Sequence, residues 1–305
     1  MKTKTISGLI AAPYSPLKEN GVLNPSAVKN YADLLIRNNV KGAFICGSSG
    51  EGISLTLDER KTLAEHWVNY ADGRIKVIVH IGTTSIKDAQ ALGKHAADIG
   101  ADAIASFDPI YYLVPWMDDL VTYYKEMLKD SNGLPFYSYN IPGLTHYQTD
   151  YSEFCRRAIE EIPGYAGVKY TNNNLMEYGQ LIKKFGDKID LLFGADELLI
   201  NALASGAKGA VGSTYNFMPS IYNDLISHFN NGNMEKAREL QILSQDIISL
   251  MPKYHGSIVF GKAVMNIIGI DCGPNRLPLK TLSPNELKEL RKDLTALGFF
   301  DICAV

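Results

Sequence analysis

The chain has 305 residues, of which 46% are hydrophobic and 21% are charged, and these proportions are typical of a globular protein with a full core. Its formal net charge of -3 and its lack of a basic stripe argue against nucleic acid as a partner. No segment approaches the roughly 20 apolar residues that span a bilayer, so no membrane association is expected.

Short β-rich apolar runs alternate with longer stretches of helical periodicity, a pattern typical of parallel strands joined by crossover helices. The N-terminal residues lead straight into the first run, without an apolar stretch as long as a signal-peptide core. The runs predict eight strands, over residues 8–12, 42–46, 76–81, 101–107, 135–140, 166–170, 191–194 and 209–212. After Pro219 the sequence predicts only helices, over residues 234–250, 255–268 and 283–297. The last of these opens with Ser283 and Glu286 in a capping-box pattern.

This order of elements predicts an α/β fold, a (β/α)8 TIM barrel over residues 1–225 with a C-terminal helical extension over residues 226–305. The alternative is an open doubly wound sheet, which usually places a glycine-rich phosphate loop after its first strand. Here the first strand is followed by Pro-Tyr-Ser-Pro, which favours the barrel. Active sites of such barrels lie at the C-terminal ends of the strands, so the residues there are the candidates for function.

The turn after the second strand reads Gly-Ser-Ser-Gly-Glu-Gly over residues 47–52. Glycines in such a turn let backbone N–H groups face one small anion, and the hydroxyls of Ser48 and Ser49 add donors, so a carboxylate would fit. A glycine-rich turn with serine caps explains the same residues equally well.

Lys169 follows an apolar run in the sixth strand and, by the period of two, faces the same side as Gly167 and Thr171. If that side is the barrel interior, desolvation disfavours the ammonium form and leaves a neutral amine that can attack a ketone. The alternative is a lysine whose charged end reaches solvent at the strand terminus.

Three further strand ends are polar. Tyr137 and Tyr139 share one face of the fifth strand, where a phenol could relay protons beside a Schiff base or could simply pack in the core. The seventh and eighth strands end in residues that suit a polyhydroxylated ligand, namely Gly194, Asp196, Glu197, Gly212 and Ser213. An Asp-Glu pair that opens a helix can equally be an N-terminal cap.

The histidines and cysteines offer no metal site by their spacing. The six histidines form no HxH or HxxxH pattern, and the four cysteines form no CxxC pair. We therefore expect no metal, no other cofactor and no disulfide framework, and a reducing cytoplasm is the simplest location.

As a set, these segments resemble the pyruvate-dependent lyase and synthase family, which includes sialic acid lyases and dihydrodipicolinate synthases. The resemblance covers nearly the whole chain, through the loop of residues 47–52, the Tyr-Asn-Ile-Pro segment at 139–142, the Gly-Val-Lys segment at 167–169 and the Gly-Ser-Thr-Tyr-Asn segment at 212–216. It implies Lys169 as the Schiff-base lysine, Tyr139 as the proton-relay phenol, and Ser48 and Ser49 as the residues that hold the pyruvate carboxylate. Ser49 stands where the lyases usually have a threonine. The resemblance also implies that Tyr111 lies near a neighbouring subunit's site, in a homotetramer.

The same resemblance separates the two branches of the family. Dihydrodipicolinate synthases carry an arginine soon after the Tyr-Asn-Val-Pro segment, whereas the matching position here is Leu144. The lyase branch implies that a sugar chain is lined by Thr171, Gly194, Asp196, Glu197, Gly212 and Ser213. The expected activity is reversible cleavage of a sialic acid to pyruvate and an amino sugar. The alternatives are another pyruvate-dependent aldolase or synthase of the family, or a barrel that binds a sugar acid without turnover.

Overall fold

The computed structural model describes residues 6–303, within which eight parallel strands form a closed barrel in chain order. The strands are β1 (Gly8–Ala11), β2 (Gly42–Ile45), β3 (Lys76–His80), β4 (Ala103–Phe107), β5 (Phe136–Asn140), β6 (Tyr165–Tyr170), β7 (Asp190–Phe193) and β8 (Gly209–Gly212). β1 pairs with β8 and closes the barrel. The predicted (β/α)8 fold is confirmed. The N-terminal stretch in which the sequence predicts no signal peptide, and the outer ends of the two predicted domains, lie outside the described residues.

Helices alternate with the strands and continue after β8. The helices outside the barrel strands are α1 (Val28–Arg37), α2 (Leu57–Ala71), α3 (Ile86–Asp98), α4 (Met117–Met127), α5 (Pro142–Thr145), α6 (Tyr151–Glu161), α7 (Leu175–Phe185), α8 (Leu199–Ala204) and α9 (Pro219–Asn230). The C-terminal helices are α10 (Met234–Ile248), α11 (Ser257–Ile267), α12 (Pro284–Ala296) and α13 (Phe299–Ile302). None of the helices described is long and apolar enough to cross a membrane.

The strand and helix ends follow from local side chains. The predicted capping box of α12 is present, because the Ser283 hydroxyl accepts from the Glu286 N–H and the Glu286 carboxylate accepts from the Ser283 N–H. The fourth strand begins two residues later than predicted, at Ala103. The side chain of Asp102 accepts a hydrogen bond from the backbone N–H of Val77 and so forms the entry turn instead.

Two layers of apolar side chains pack on the barrel strands, one outside the barrel and one inside it. The larger layer packs the outer face of the barrel against the helices, and the smaller layer fills the interior with side chains that include Phe44, Tyr137, Tyr139 and Leu192. The shared face of Tyr137 and Tyr139, predicted from the period of two, is thereby confirmed. The division of the chain between residues 225 and 226 stays a prediction, and α9 runs across that boundary.

Candidate active site

A cavity of about 370 Å³ opens at the C-terminal ends of the barrel strands. It is lined by all of the predicted site residues except Tyr111, namely Ser48, Ser49, Tyr139, Lys169, Thr171, Gly194, Asp196, Glu197, Gly212 and Ser213. The C-terminal extension adds Ile248, Met251, Ser257 and Ile258 to the wall. The fold therefore brings together residues that span most of the length of the chain.

Lys169 lies inside the barrel, with only 4% of its surface exposed. Its Nζ atom is 4.1 Å from the ring centroid of Phe44 and 4.0 Å from that of Tyr139. Lys169 pairs directly with Tyr139 across β5 and β6, and this register places the phenol beside the amine. No carboxylate among residues 6–303 forms a salt bridge with Lys169. The alternative of a lysine that reaches bulk solvent is therefore wrong.

The hydroxyl of Tyr139 lies 3.5 Å from the Oγ atom of Ser48. The Tyr139 ring also packs edge-on against Phe44, with 5.6 Å between ring centroids. The phenol is thus fixed by packing on one side and by a hydroxyl partner on the other. A substrate atom attached to Lys169 would lie within reach of a group that can donate or accept a proton.

The loop that carries Ser48 and Ser49 has an uncommon backbone. Cys46 and Glu51, at its two ends, both adopt the left-handed conformation, with φ of 57° and 52°. A Cβ atom on Gly52 would lie 1.8 Å from the carbonyl oxygen of Cys46, so only glycine fits there. The serines do not cap helix α2, whose N-cap is Thr56. Both serines line the cavity, which favours the ligand-binding interpretation over the capped turn.

Asp196 joins the ends of β7 and β8. Its Oδ2 atom accepts hydrogen bonds from the backbone N–H of Thr214 at 2.9 Å and from the Thr214 hydroxyl at 2.6 Å. A Cβ atom on Gly212 would lie 1.8 Å from Oδ1 of Asp196, so the glycine makes room for the carboxylate. Burial raises the pKa of Asp196 to about 6, against the opposing effect of the Thr214 hydrogen bonds. Asp196 does not act as a helix cap.

Glu197 and Thr171 are two cavity residues with unused hydrogen-bonding capacity within the described chain. The side chain of Glu197 is half-buried and forms no hydrogen bond or ion pair with any other residue of the described chain. The Oγ1 atom of Thr171 is buried without a protein partner, next to Gly194. Both groups are therefore open to a ligand that donates and accepts hydrogen bonds.

Sequence reasoning missed a buried ion pair beside the serine loop. Glu51, the last polar residue of the serine loop, accepts a hydrogen bond from Lys262 of α11 at 2.8 Å, and less than a twentieth of either residue is exposed. A lysine within the apolar run Ser-Ile-Val-Phe-Gly-Lys-Ala-Val-Met was the available signal.

The Dihydrodipicolinate synthetase family matches residues 5–297 of the chain. The chain belongs to this family. It is 41% identical over 279 residues to the N-acetylneuraminate lyase of Xenopus tropicalis. The alignment covers 90% of this chain and 91% of that protein. Its fold matches the N-acetylneuraminate lyase of Proteus mirabilis with a TM-score of 0.94 and 33% identity, over 97% of this chain and 100% of that one. It also matches the sialic acid aldolase of Aliivibrio salmonicida with a TM-score of 0.95 and 32% identity, over 99% of this chain and 100% of that one.

Leu144 stands where the sequence resemblance leads us to expect an arginine in dihydrodipicolinate synthases. Leu144 lines the mouth of the cavity with 61% of its surface exposed. Among the residues described, no arginine lines the cavity, so this wall presents a hydrocarbon side chain to a ligand.

Tyr111 lies apart from the other predicted site residues. It follows β4 in a loop, adopts a left-handed backbone with φ of 67°, and is 83% exposed. Its ring packs edge-on against Tyr112, 4.8 Å away. Within one chain it does not line the cavity.

The described residues also include all histidines and cysteines of the sequence. The four cysteines are buried and free. Within residues 6–303, no group of three or more His, Cys, Asp or Glu side chains is arranged to hold a metal ion.

Proposed function

We propose that this chain is an N-acetylneuraminate lyase, which reversibly cleaves N-acetylneuraminate to N-acetylmannosamine and pyruvate through a Schiff base on Lys169. The observation that carries the proposal is the buried amine of Lys169, which lies over the rings of Phe44 and Tyr139 and lines the cavity at the strand ends. The N-acetylneuraminate lyases of Xenopus tropicalis and Homo sapiens align with 90% and 97% of the chain.

The reaction begins when the amine of Lys169 attacks the C2 ketone of the open-chain sugar acid and water leaves, which forms an iminium. Hydroxyls of Ser48 and Ser49 hold the carboxylate at C1. The iminium accepts the electron pair of the C3–C4 bond as the C4 hydroxyl loses its proton to Tyr139 or to the substrate's own carboxylate. N-acetylmannosamine leaves as the aldehyde, and the enamine is protonated at C3 and hydrolysed to pyruvate.

The far half of the cavity suits the sugar chain. The Thr171 hydroxyl and the Glu197 carboxylate are free to bond sugar hydroxyls, while Gly194, Asp196, Gly212 and Ser213 shape the wall between them. The mechanism uses no metal or organic cofactor, because the iminium itself serves as the electron sink. We further propose a cytoplasmic location, and a homotetramer in which Tyr111 approaches a neighbour's site.

Two alternatives are less well supported. A dihydrodipicolinate synthase would need a cation for its second substrate's carboxylate, and Leu144 supplies none. A barrel that only binds a sugar acid would have no need of a lysine that is desolvated and unpaired beside a phenol.

The test is a substrate comparison with the purified protein. N-acetylneuraminate and a 2-keto-3-deoxy acid without the amino group are each supplied, and pyruvate and the released aldehyde are both measured. We expect equal amounts of pyruvate and N-acetylmannosamine from N-acetylneuraminate, and a kcat/KM at least tenfold lower for the other acid. Faster cleavage of the 2-keto-3-deoxy acid would assign the chain to another aldolase, and binding without release of pyruvate would assign it to the sugar-acid-binding class.

A further inference from the structure

The serine loop ends in a buried carboxylate that is bonded to the C-terminal extension. Glu51 ends the loop in the left-handed backbone conformation, which is uncommon for a residue with a side chain and persists only where surrounding contacts impose it. Its Oε1 atom accepts from Nζ of Lys262 at 2.8 Å, and its Oε2 atom accepts from the backbone N–H of Arg276, also at 2.8 Å. Each carboxylate oxygen therefore has one donor from the C-terminal extension.

The ion pair between Glu51 and Lys262 is almost completely removed from solvent. The side chains are 2% and 1% exposed, respectively. Burial lowers the pKa of Lys262, and the charge of Glu51 opposes that effect. Because each charge compensates the other, removal of one partner leaves an uncompensated buried ion, which is strongly unfavourable.

The network connects the extension to the loop beside the cavity. Ser48 and Ser49 line the cavity that contains Lys169, whereas Glu51, two or three residues further along the chain, lines an adjoining cavity that shares Ser48 and Ile258 with it. The backbone N–H of Glu51 donates to the carbonyl of Ser48 at 3.1 Å, so a movement of Glu51 also moves the serines. Helix α11, which carries Lys262, also contributes Ser257 and Ile258 to the cavity wall.

We propose that Lys262 is a positioning residue, which acts through Glu51 to hold the Ser48–Ser49 loop in the geometry that binds the carboxylate of the keto acid. This inference rests on the proposed function. Without the ammonium of Lys262, the buried carboxylate of Glu51 loses its compensating charge and turns toward solvent, and the left-handed backbone loses its anchor. Displacement of the serine hydroxyls by about 1 Å is enough to weaken carboxylate binding severely.

The test measures how much pyruvate is needed to label Lys169 in the presence of borohydride. In Lys262→Met the half-saturating pyruvate concentration should rise about ten- to hundredfold, while saturating pyruvate still labels the whole protein. Glu51→Gln should also raise the half-saturating pyruvate concentration. An amide has only one oxygen, so its NH2 group must face one of the two donors, Lys262 or the backbone N–H of Arg276. This second variant carries the test if the first does not fold.

The double variant Glu51→Gln with Lys262→Met separates charge compensation from simple loss of packing. The amide oxygen can then accept from Arg276 while its NH2 group faces a neutral methionine. The half-saturating concentration should return to within about threefold of the wild-type value. A matched control is Leu290→Ala, which opens a cavity in the buried face of α12 and lowers Tm without touching the loop.

Three results would decide against the inference. Wild-type half-saturation in both single variants would overturn it, as would an equal rise in Leu290→Ala at a similar loss of Tm. A double variant no better than the worse single variant would show that packing, and not charge, holds the loop. If the wild-type protein itself is never labelled by pyruvate, the proposed function fails and the inference fails with it.

Discussion

Two adjacent acidic residues in the cavity have different surroundings. Asp196 is buried and its carboxylate is already bonded to Thr214, whereas Glu197 is half-buried and its carboxylate has no partner within the described chain. The backbone carbonyl of Glu197 accepts a hydrogen bond from the side-chain amide of Gln245 at 2.8 Å. Glu197 is therefore the acid that can accept a hydrogen bond from a sugar hydroxyl without giving up another interaction.

Glu197→Ala should lower kcat/KM for N-acetylneuraminate by roughly ten- to hundredfold, because a charge-assisted hydrogen bond contributes about 1.5 to 3 kcal/mol. Trapping of pyruvate on Lys169 should be unchanged, since pyruvate ends at C3 and Glu197 is assigned to hydroxyls beyond the bond that breaks. Steady-state kinetics and borohydride labelling measure the two effects separately. Glu235→Ala, an exposed glutamate in the first turn of α10, is the control. Loss of pyruvate labelling in Glu197→Ala would place the residue in the imine chemistry instead.

Single residues of the site were predictable where strand periodicity decides their direction. By the period of two, Lys169 lies on the face of β6 opposite Val168 and Tyr170, and the structure shows that these two residues pack in the outer layer. The sequence alone predicted the alternation but left open which face is the interior. Lys262 was not predictable, because its partner Glu51 is 211 positions away and no local pattern joins them. The pattern of α11 indicates a buried lysine but does not say which carboxylate compensates it.

At the scale of elements, the barrel strands are joined at their ends by buried polar groups. Asp196 follows β7 and bonds Thr214, which follows β8, so a single carboxylate fixes the relative position of two strand ends. Its pKa of about 6 lies above the usual 3.8 because burial disfavours the charged form. The stability that the protonated form contributes is therefore fully present below about pH 4 and is lost as the pH rises through 6.

Asp196→Asn should remove this pH dependence while it keeps an acceptor for Thr214. Between about pH 4.5 and pH 7.5, the free energy of unfolding of the wild type should fall by about 2 kcal/mol relative to that of the variant, since one pKa unit corresponds to about 1.4 kcal/mol. Urea unfolding of both proteins at the two pH values gives the difference between their free energies of unfolding. The contributions of all other titrating groups cancel in this difference. A difference that stays constant with pH, or one that grows in favour of the wild type, would contradict the assignment.

The elements themselves were predictable to within a few residues, because alternating strand and helix patterns are local. How the extension packs was not predictable in the same way. Periodicity indicates that α11 is a helix, but its position over the strand ends depends on contacts such as those of Ile258 with the cavity. The functional contribution of the extension was therefore visible only in the folded chain.

On the surface of the molecule, the segment that follows β4 is rich in exposed apolar side chains. Tyr111, Tyr112, Leu113 and Trp116 follow β4 and are each about half exposed or more. Large apolar side chains that cluster on a surface are typical of protein–protein contacts. This segment supports the proposed homotetramer, since it contains the tyrosine expected to approach a neighbouring site.

Sedimentation analysis should therefore show a tetramer, and Trp116→Asp should shift the protein toward smaller species by placing a charge in the contact. Activity should fall with the shift, because the neighbour's Tyr111 is then withdrawn. Met176→Asp, a highly exposed residue in the first turn of α7, is the control for an added surface charge. A monomer with full activity would rule out any need for a tyrosine from a neighbour.

The Schiff base that we propose between Lys169 and pyruvate can be trapped by reduction. The protein is incubated with pyruvate and borohydride, and the modified peptide is identified by mass mapping. We predict one reduced pyruvate adduct per chain, located on Lys169, with no labelling and no turnover in Lys169→Ala. An adduct on a different lysine, or cleavage of N-acetylneuraminate at the wild-type rate by Lys169→Ala, would contradict the account.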